Sequence, residues 1–188
     1  IFNENIYMTD KYEGYEGEYK DGKRHGKGRQ KDDEGNIYEG DFLNDEFNGF
    51  GKMIYTDDDI YEGNWKEGLP HGRGIMIYSN GDKYEGEFED GDIHGSGTMT
   101  YKNGNIYVGE FDGGKRHGKG KTVFADDKGY YEGNYRNNLR DGKGFLKQSG
   151  NPDKDGFFEN GEYIGKEPKP LNETDEDIKI DESKSTSD

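Results

Sequence analysis

The sequence predicts an all-β protein: an elongated, twisted antiparallel sheet of about seven β-hairpin repeats, followed by a disordered acidic tail. Three observations predict it. The 188 residues include 32 glycines and 14% aromatics but are only 27% hydrophobic, too few apolar residues for a large conventional core and too many aromatics for disorder. A Tyr-x-Gly tripeptide recurs with a fixed step, as in architectures of stacked identical units. Inside each unit apolar and charged residues alternate with period two, the pattern of a strand with one buried face.

The tripeptide starts at Tyr15, Tyr38, Tyr61, Tyr84, Tyr107 and Tyr131, spaced by 23 residues four times and then 24. Another 23 residues reach Lys154, the start of a degenerate seventh unit that lacks the tyrosine. Two positions after each start stands a glycine (Gly17, Gly40, Gly63, Gly86, Gly109, Gly133, Gly156), and two further on an aromatic (Tyr19, Phe42, Trp65, Phe88, Phe111, Tyr135, Phe158). This alternation defines the first strand of each unit. A turn glycine follows at Gly22, Gly68, Gly91, Gly114 and Gly161; Asp45 and Asn138 replace it in two units, and these are the non-glycine types that best tolerate a left-handed backbone. The second strand carries a glycine pair, such as Gly95 and Gly97, then Met99 and Tyr101.

Asn80-Gly81 and Asn103-Gly104 mark the turns between units. A three-residue loop with a glycine bulge there sets Met76 opposite Tyr84 and Gly74 opposite Gly86, gathering aromatics and glycines on one face; a two-residue turn would invert the pairing. In the favoured register, glycine leaves room for an aromatic ring to lie on the backbone. The expected organisation is a cap over residues 1–14, with Ile6-Tyr7-Met8 as its strand, repeats over 15–165, and a disordered acidic tail over 166–188.

Tyr-Glu-Gly-x-aromatic-x-x-Gly-x-x-His-Gly-x-Gly at a 23-residue step resembles the MORN (membrane occupation and recognition nexus) repeat, over residues 15 to about 165. The resemblance implies twisted sheets of hairpins that act as scaffolds, joining proteins or lying near membranes. In general form, repeats with an acidic tail are also similar to subunits of ciliary radial spoke heads, which implies a cytoplasmic protein of a cilium, axoneme or cytoskeleton. Two alternatives follow from the family: a peripheral membrane adaptor that binds phosphoinositides, and the regulatory repeats of a larger enzyme such as a lipid kinase or lysine methyltransferase.

Composition narrows the chemistry. The net charge of −16 (26 − 42) opposes nucleic acid or an anionic membrane as partner of the whole molecule. The chain has no cysteine, which excludes disulfides, thiol nucleophiles and Cys-ligated zinc. No apolar run approaches a membrane span and the first residues lack a signal-peptide pattern, so a cytoplasmic location is expected. Gly118-Lys-Gly-Lys-Thr122 resembles a phosphate-binding loop only superficially, because Lys115 stands where that motif needs glycine. His25, His71, His94 and His117 share one repeat position, better explained by packing or turn hydrogen bonds than by metal, since Asn48 and Asp141 replace them elsewhere. Asp57-Asp58-Asp59 is read as solvated turn charge. No catalytic, cofactor or metal residue is assigned.

Two surfaces remain as candidate sites. Local basic runs (Lys23, Arg24 and Lys27; Lys115, Arg116 and Lys119) are candidate anion contacts. On the face opposite the aromatics, Ile54, Ile75, Ile77 and Val123, with Ile37, Ile60 and Ile106, form a candidate apolar groove in the middle repeats, flanked by acid, for a partner's helix or strand. The expected partners are other proteins with basic and apolar faces; homo- or heterodimerisation is left open.

Overall fold

The computed structural model describes residues 14–168. They form one 14-stranded antiparallel sheet in which every strand pairs with its neighbours in chain order. The first four strands are β1 (Tyr15–Lys20), β2 (Lys23–Lys31), β3 (Ile37–Leu43) and β4 (Glu46–Ile54). Next come β5 (Ile60–Lys66), β6 (Leu69–Ile77), β7 (Lys83–Glu89) and β8 (Asp92–Thr100). The rest are β9 (Ile106–Asp112), β10 (Lys115–Val123), β11 (Gly129–Arg136), β12 (Leu139–Gln148), β13 (Lys154–Glu159) and β14 (Glu162–Gly165). The seventh unit is therefore a real hairpin, β13–β14, although its tyrosine is missing. The expected cap strand Ile6-Tyr7-Met8 and nearly all of the expected tail lie outside the described residues.

The register is the one that gathers glycine. Met76 faces Tyr84 and Gly74 faces Gly86 across β6–β7, and Gly81 donates its N–H to the Tyr78 carbonyl at 2.9 Å to close a three-residue loop. Across the whole sheet one line of cross-strand neighbours runs Gly17, Gly28, Gly40, Gly51, Gly63, Gly74, Gly86, Gly97, Gly109, Gly120, Gly133, Gly144 and Gly156. At ~4.8 Å per strand these twelve steps span about 58 Å. The extra residue between Tyr107 and Tyr131 sits in the loop after β10, where Asp126 and Asp127 both take left-handed conformations.

Each repeated tyrosine lies on this glycine line. A Cβ on Gly74 would stand 2.5 Å from the Tyr61 hydroxyl and 2.6 Å from Cε2 of its ring. The hydroxyl then reaches a carbonyl three residues on: Tyr15 donates to Glu18 (2.8 Å), Tyr38 to Asp41 (2.9 Å), Tyr61 to Asn64 (2.7 Å), Tyr84 to Glu87 (2.9 Å), Tyr107 to Glu110 (2.8 Å) and Tyr131 to Asn134 (3.0 Å). All six tyrosines are fully buried. Their edges meet the second aromatic of the same and the next unit, as for Tyr84 with Phe88 (5.2 Å) and Phe111 (5.1 Å), both nearly perpendicular, the favoured geometry for ring quadrupoles. The core is thus a single file of interlocked rings, which explains how so few aliphatic residues suffice.

The carbonyls that receive these hydroxyls sit where the ladder is interrupted. In each of the first six hairpins the register shifts just after the glycine pair, and the shift centres on a left-handed glycine such as Gly95 (φ 61°) or Gly118 (φ 56°). Bulges of this kind bend a strand and sharpen its twist. The hairpin tips are two-residue turns with positive φ at both positions, including Asn44 (53°) with Asp45 (79°) and Asn137 (49°) with Asn138 (72°), as type I′ geometry requires.

Both rims are stitched from unit to unit. At the tips, the second turn residue donates its N–H to the previous unit, as from Gly68 to the Phe47 carbonyl (3.0 Å) and Gly114 to Ile93 (2.9 Å). At the opposite rim, side-chain oxygens of Asn36, Asp59, Asp82 and Asn105 accept N–H groups of Thr56, Ser79, Lys102 and Ala125 at 2.8–3.0 Å. Asp59 therefore departs from the expectation of solvated turn charge, because its carboxylate joins two successive loops.

Candidate binding face

The face opposite the rings is a trough along the glycine line. Its three contiguous segments have volumes of about 680, 890 and 710 Å³ and share Phe50 and Glu62 at the first junction, Val108 and Lys119 at the second. The floor is glycine backbone, and the neighbours of each glycine form the walls because their side chains point away from the rings.

One wall follows a cross-strand row: Glu16, Arg29, Glu39, Lys52, Glu62, Ile75, Glu85, Thr98, Val108, Lys121, Glu132, Phe145, Asp155. Ile75 thus sits between Glu62 and Glu85 beside the glycine floor. A further row outside this wall contains Ile37, Ile54, Ile60 and Ile77 as direct neighbours. Lys83 and Thr100 interrupt it before Ile106, Val123 and Tyr130. The expected single apolar groove is therefore two ladders, one on repeats two and three and one on repeats five and six. Ile54, Ile77, Ile106 and Val123 are exposed.

Two exposed apolar residues of the trough escaped sequence reasoning. Phe50 and Val108 are each 53% exposed. Phe50 lies between Gly49 and Gly51; the strand alternation that buries the flanking positions necessarily turns it outward, and that parity was the available signal.

The basic runs do not remain clusters. Lys23 and Lys115 stand exposed at the start of their strands beside the tip turns, and Lys27 and Lys119 line the trough. Arg24 and Arg116 point to the ring side. The Arg24 guanidinium lies 5.3 Å from the Phe42 ring centre and 5.9 Å from that of Tyr15, and it hydrogen-bonds Asp45 and Gln30. Arg116 lies 5.2 Å from the Tyr135 ring and 5.7 Å from that of Tyr107, and donates to the Asn138 carbonyl at 2.7 Å. Arg140 repeats the arrangement over Tyr131 and Phe158. Arg24 and Arg116 are thus corrected from candidate anion contacts to cation–π packing residues, at the repeat position held elsewhere by Phe47, Pro70 and Ile93.

Several trough carboxylates are already occupied. Glu18, Asp41, Glu87 and Glu110 accept the backbone N–H of Lys27, Phe50, Ser96 and Lys119 at 3.0–3.4 Å, sealing the bulges. Lys27 also pairs with Asp41 at 2.7 Å. The acid along these strands is therefore less available to a partner than its count suggests. Two of the histidines face carboxylates at the hairpin tips: His71 Nδ1 lies 3.8 Å from Asp90, and His94 3.5 Å from Glu89 and 3.7 Å from Asp112. Among the described residues no cluster of His, Cys, Asp or Glu could hold a metal ion.

Comparison with known proteins agrees with this anatomy. The family model described as "MORN repeat" matches residues 15–37, 38–60, 61–83, 84–106, 107–128 and 131–151. No curated protein matches. Among solved structures, the chain is similar to the TCP domain of SAS-4 (dCPAP) of Drosophila melanogaster in complex with a proline-rich motif of Ana2 (dSTIL). That match has 18% identity and covers 69% of this chain and 83% of that chain, at a TM-score of 0.30, too low to inform the fold or the function.

Proposed function

The chain belongs to the MORN-repeat family, and from that premise we propose that it is a non-catalytic scaffold whose trough docks a segment of another protein. The observation that carries this reading is the exposed apolar set along a glycine-floored channel: Phe50, Ile54, Ile77 and Val108 stand out on a face whose other side already holds the core. The rows cross the strands, so they present a side chain every ~4.8 Å, close to the ~5.4 Å of one helical turn. An amphipathic helix laid along the trough would meet the Ile37–Ile77 ladder turn by turn, with basic residues over Glu62 and Glu85.

The finer part of the proposal is the setting, an axonemal assembly such as the radial spoke head. Its support is similarity of general form: repeats followed by acidic sequence. Crosslinking mass spectrometry on the native assembly tests both parts. Partner crosslinks should concentrate on lysines beside the Ile37–Ile77 ladder, Lys52 and Lys83, and the double variant Ile54→Asp, Ile77→Asp should lose the partner while keeping its fold. Crosslinks confined to the tip lysines Lys23 and Lys115, or a double variant that retains every partner, would sink the docking reading; partners with no axonemal role would sink the setting.

The membrane alternative has less support, because the runs that suggested it divide between rim, trough and ring packing. Flotation with phosphoinositide vesicles should show no salt-sensitive binding, and recovery of the protein with those vesicles would reinstate it.

A further inference from the structure

The trough changes character at its C-terminal end. Between β9 and β13 it is lined by Lys119, Lys121 and Lys143 against the two carboxylates Glu132 and Asp155, with Val108, Tyr130 and Phe145 among them. Two of the nearby carboxylates are held within the sheet, while Lys119 and Lys143 line the segment without a carboxylate partner at salt-bridge distance among the described residues. Glu110 caps the bulge at Lys119, and Glu132 pairs with Lys121 at 2.9 Å. The Lys121 ammonium also lies 4.4 Å from the Tyr130 ring centre, and Tyr130 and Phe145 are ring neighbours at 5.8 Å. A chain of net charge −16 thus presents a net positive, aromatic lining, three lysines against two carboxylates, at one end of the trough.

The polypeptide leaves the sheet at this same end. Gly156, the last of the glycine line, lies against the Gly165 carbonyl, and a Cβ there would stand 3.0 Å from Lys166 Cα. Beyond Pro168 the sequence carries six carboxylates in the ten residues from Glu173 to Glu182, set around Ile178 and Ile180. Ten residues separate Pro168 from Ile178, a reach of up to ~33 Å. The cationic end spans four strand spacings, about 19 Å.

We propose that Glu173–Glu182 docks back onto this end of the trough, its carboxylates against Lys119, Lys121 and Lys143 and its isoleucines against Val108 and Phe145. The inference rests on the reading of the trough as a docking surface and specifies the occupant of its last third. Tethering makes the contact intramolecular, with an effective concentration on the order of millimolar, so an external acidic segment must displace the tail, while the Ile37–Ile77 ladder stays open.

Zero-length carbodiimide crosslinking of the full chain, without any partner and at low concentration, tests this directly. Crosslinks from Glu173–Glu182 to Lys119, Lys121 and Lys143 within one chain are expected, and high salt should suppress them because the attraction is screened. An even spread over Lys23, Lys27, Lys52 and the trough lysines, or crosslinks formed only between two chains, would overturn the proposal. An independent readout is the amide spectrum of the full chain. Replacing Glu173, Asp175, Glu176 and Asp177 by Gln or Asn should move the signals of Val108, Lys121 and Phe145, and unchanged signals would overturn it equally. Neither experiment contains a partner, so failure here leaves partner docking on the N-terminal ladder standing, and loss of that docking leaves this result standing.

Discussion

Gly74→Ala strikes at the packing of rings on glycine. The residue is in β6, in extended backbone, and the substitution adds one methyl group. That methyl would stand 2.5–2.7 Å from Oη, Cε2 and Cζ of Tyr61, inside any normal carbon contact, so the ring has to move. Tyr61 is completely buried and wedged between Trp65 (5.1 Å) and Phe88 (4.9 Å), and its hydroxyl donates to the Asn64 carbonyl at 2.7 Å. Overpacking costs about 1–3 kcal/mol, and leaving the hydroxyl or carbonyl unpaired about 1–3 kcal/mol more. The lower entropy of alanine in the unfolded chain returns roughly 0.4–1 kcal/mol, for a net loss of about 1–5.5 kcal/mol. Gly68→Ala is the control: nothing lies within 4 Å of its Cβ site and only a positive φ of 82° opposes the substitution, about 1–2 kcal/mol. Urea unfolding followed by circular dichroism compares the two, and hydrogen exchange locates the damage, which should centre on β5–β7 because each unit leans only on its neighbours. Tyr61→Phe should be costly in the native background and nearly free beside Gly74→Ala, where its hydrogen bond is already gone. Equal losses at Gly74 and Gly68, or additive behaviour of the pair, would refute the ring-on-glycine account.

Three further outcomes are expected. Thr122 and Tyr135, both buried, share a 2.6 Å hydrogen bond where other units place Met and Phe, as at Met99 and Phe111; Thr122→Met alone should cost ~1–3 kcal/mol, and adding Tyr135→Phe should recover most of it in a double-mutant cycle. Asp45→Gly restores the turn glycine of the repeat yet should destabilise by ~1 kcal/mol or more, because Asp45 accepts the Arg24 N–H at 2.8 Å and a bare turn leaves that donor unpaired; an unchanged urea midpoint would contradict this. Burial pushes the hydroxyls of Tyr15, Tyr84 and Tyr131 up to about 12 and those of Tyr38, Tyr61 and Tyr107 still higher. An unfolded tyrosine ionises near pH 10, so above that pH the unfolded chain holds fewer protons than the folded one and stability falls by up to ~1.4 kcal/mol per pH unit for each ring. Their stabilising effect is therefore intact below pH ~10 and fails steeply above it, and tyrosinate absorbance should rise together with loss of the sheet rather than before it.

Much of the fold is legible because it is periodic. A ring and a glycine that recur every 23 residues, each on the same side of a strand, leave one register in which they meet, and the alternation that buries Tyr84 and Phe88 forces Glu85 outward. Asp45 and Asn138 could be read as turn residues from their chemistry. The roles that could not be read depend on which neighbour lies across a bulge. Glu18, Glu87 and Glu110 look like free surface charge until the register shift brings the N–H of Lys27, Ser96 and Lys119 to them. Arg24 and Arg116 look like surface cations until the next unit supplies a second ring.

By itself, then, the amino-acid order determined the repeat, the hairpins, the buried face and the matching of glycine to tyrosine, because those interactions act within one unit or between identical positions of adjacent ones. Only the tertiary structure decided the binding face. The division of its apolar residues into two ladders, the lysine-rich end around Lys119, Lys121 and Lys143, and the exit of the chain beside Gly156 are built from side chains that differ between units, and they line up only when the register of each successive strand is fixed.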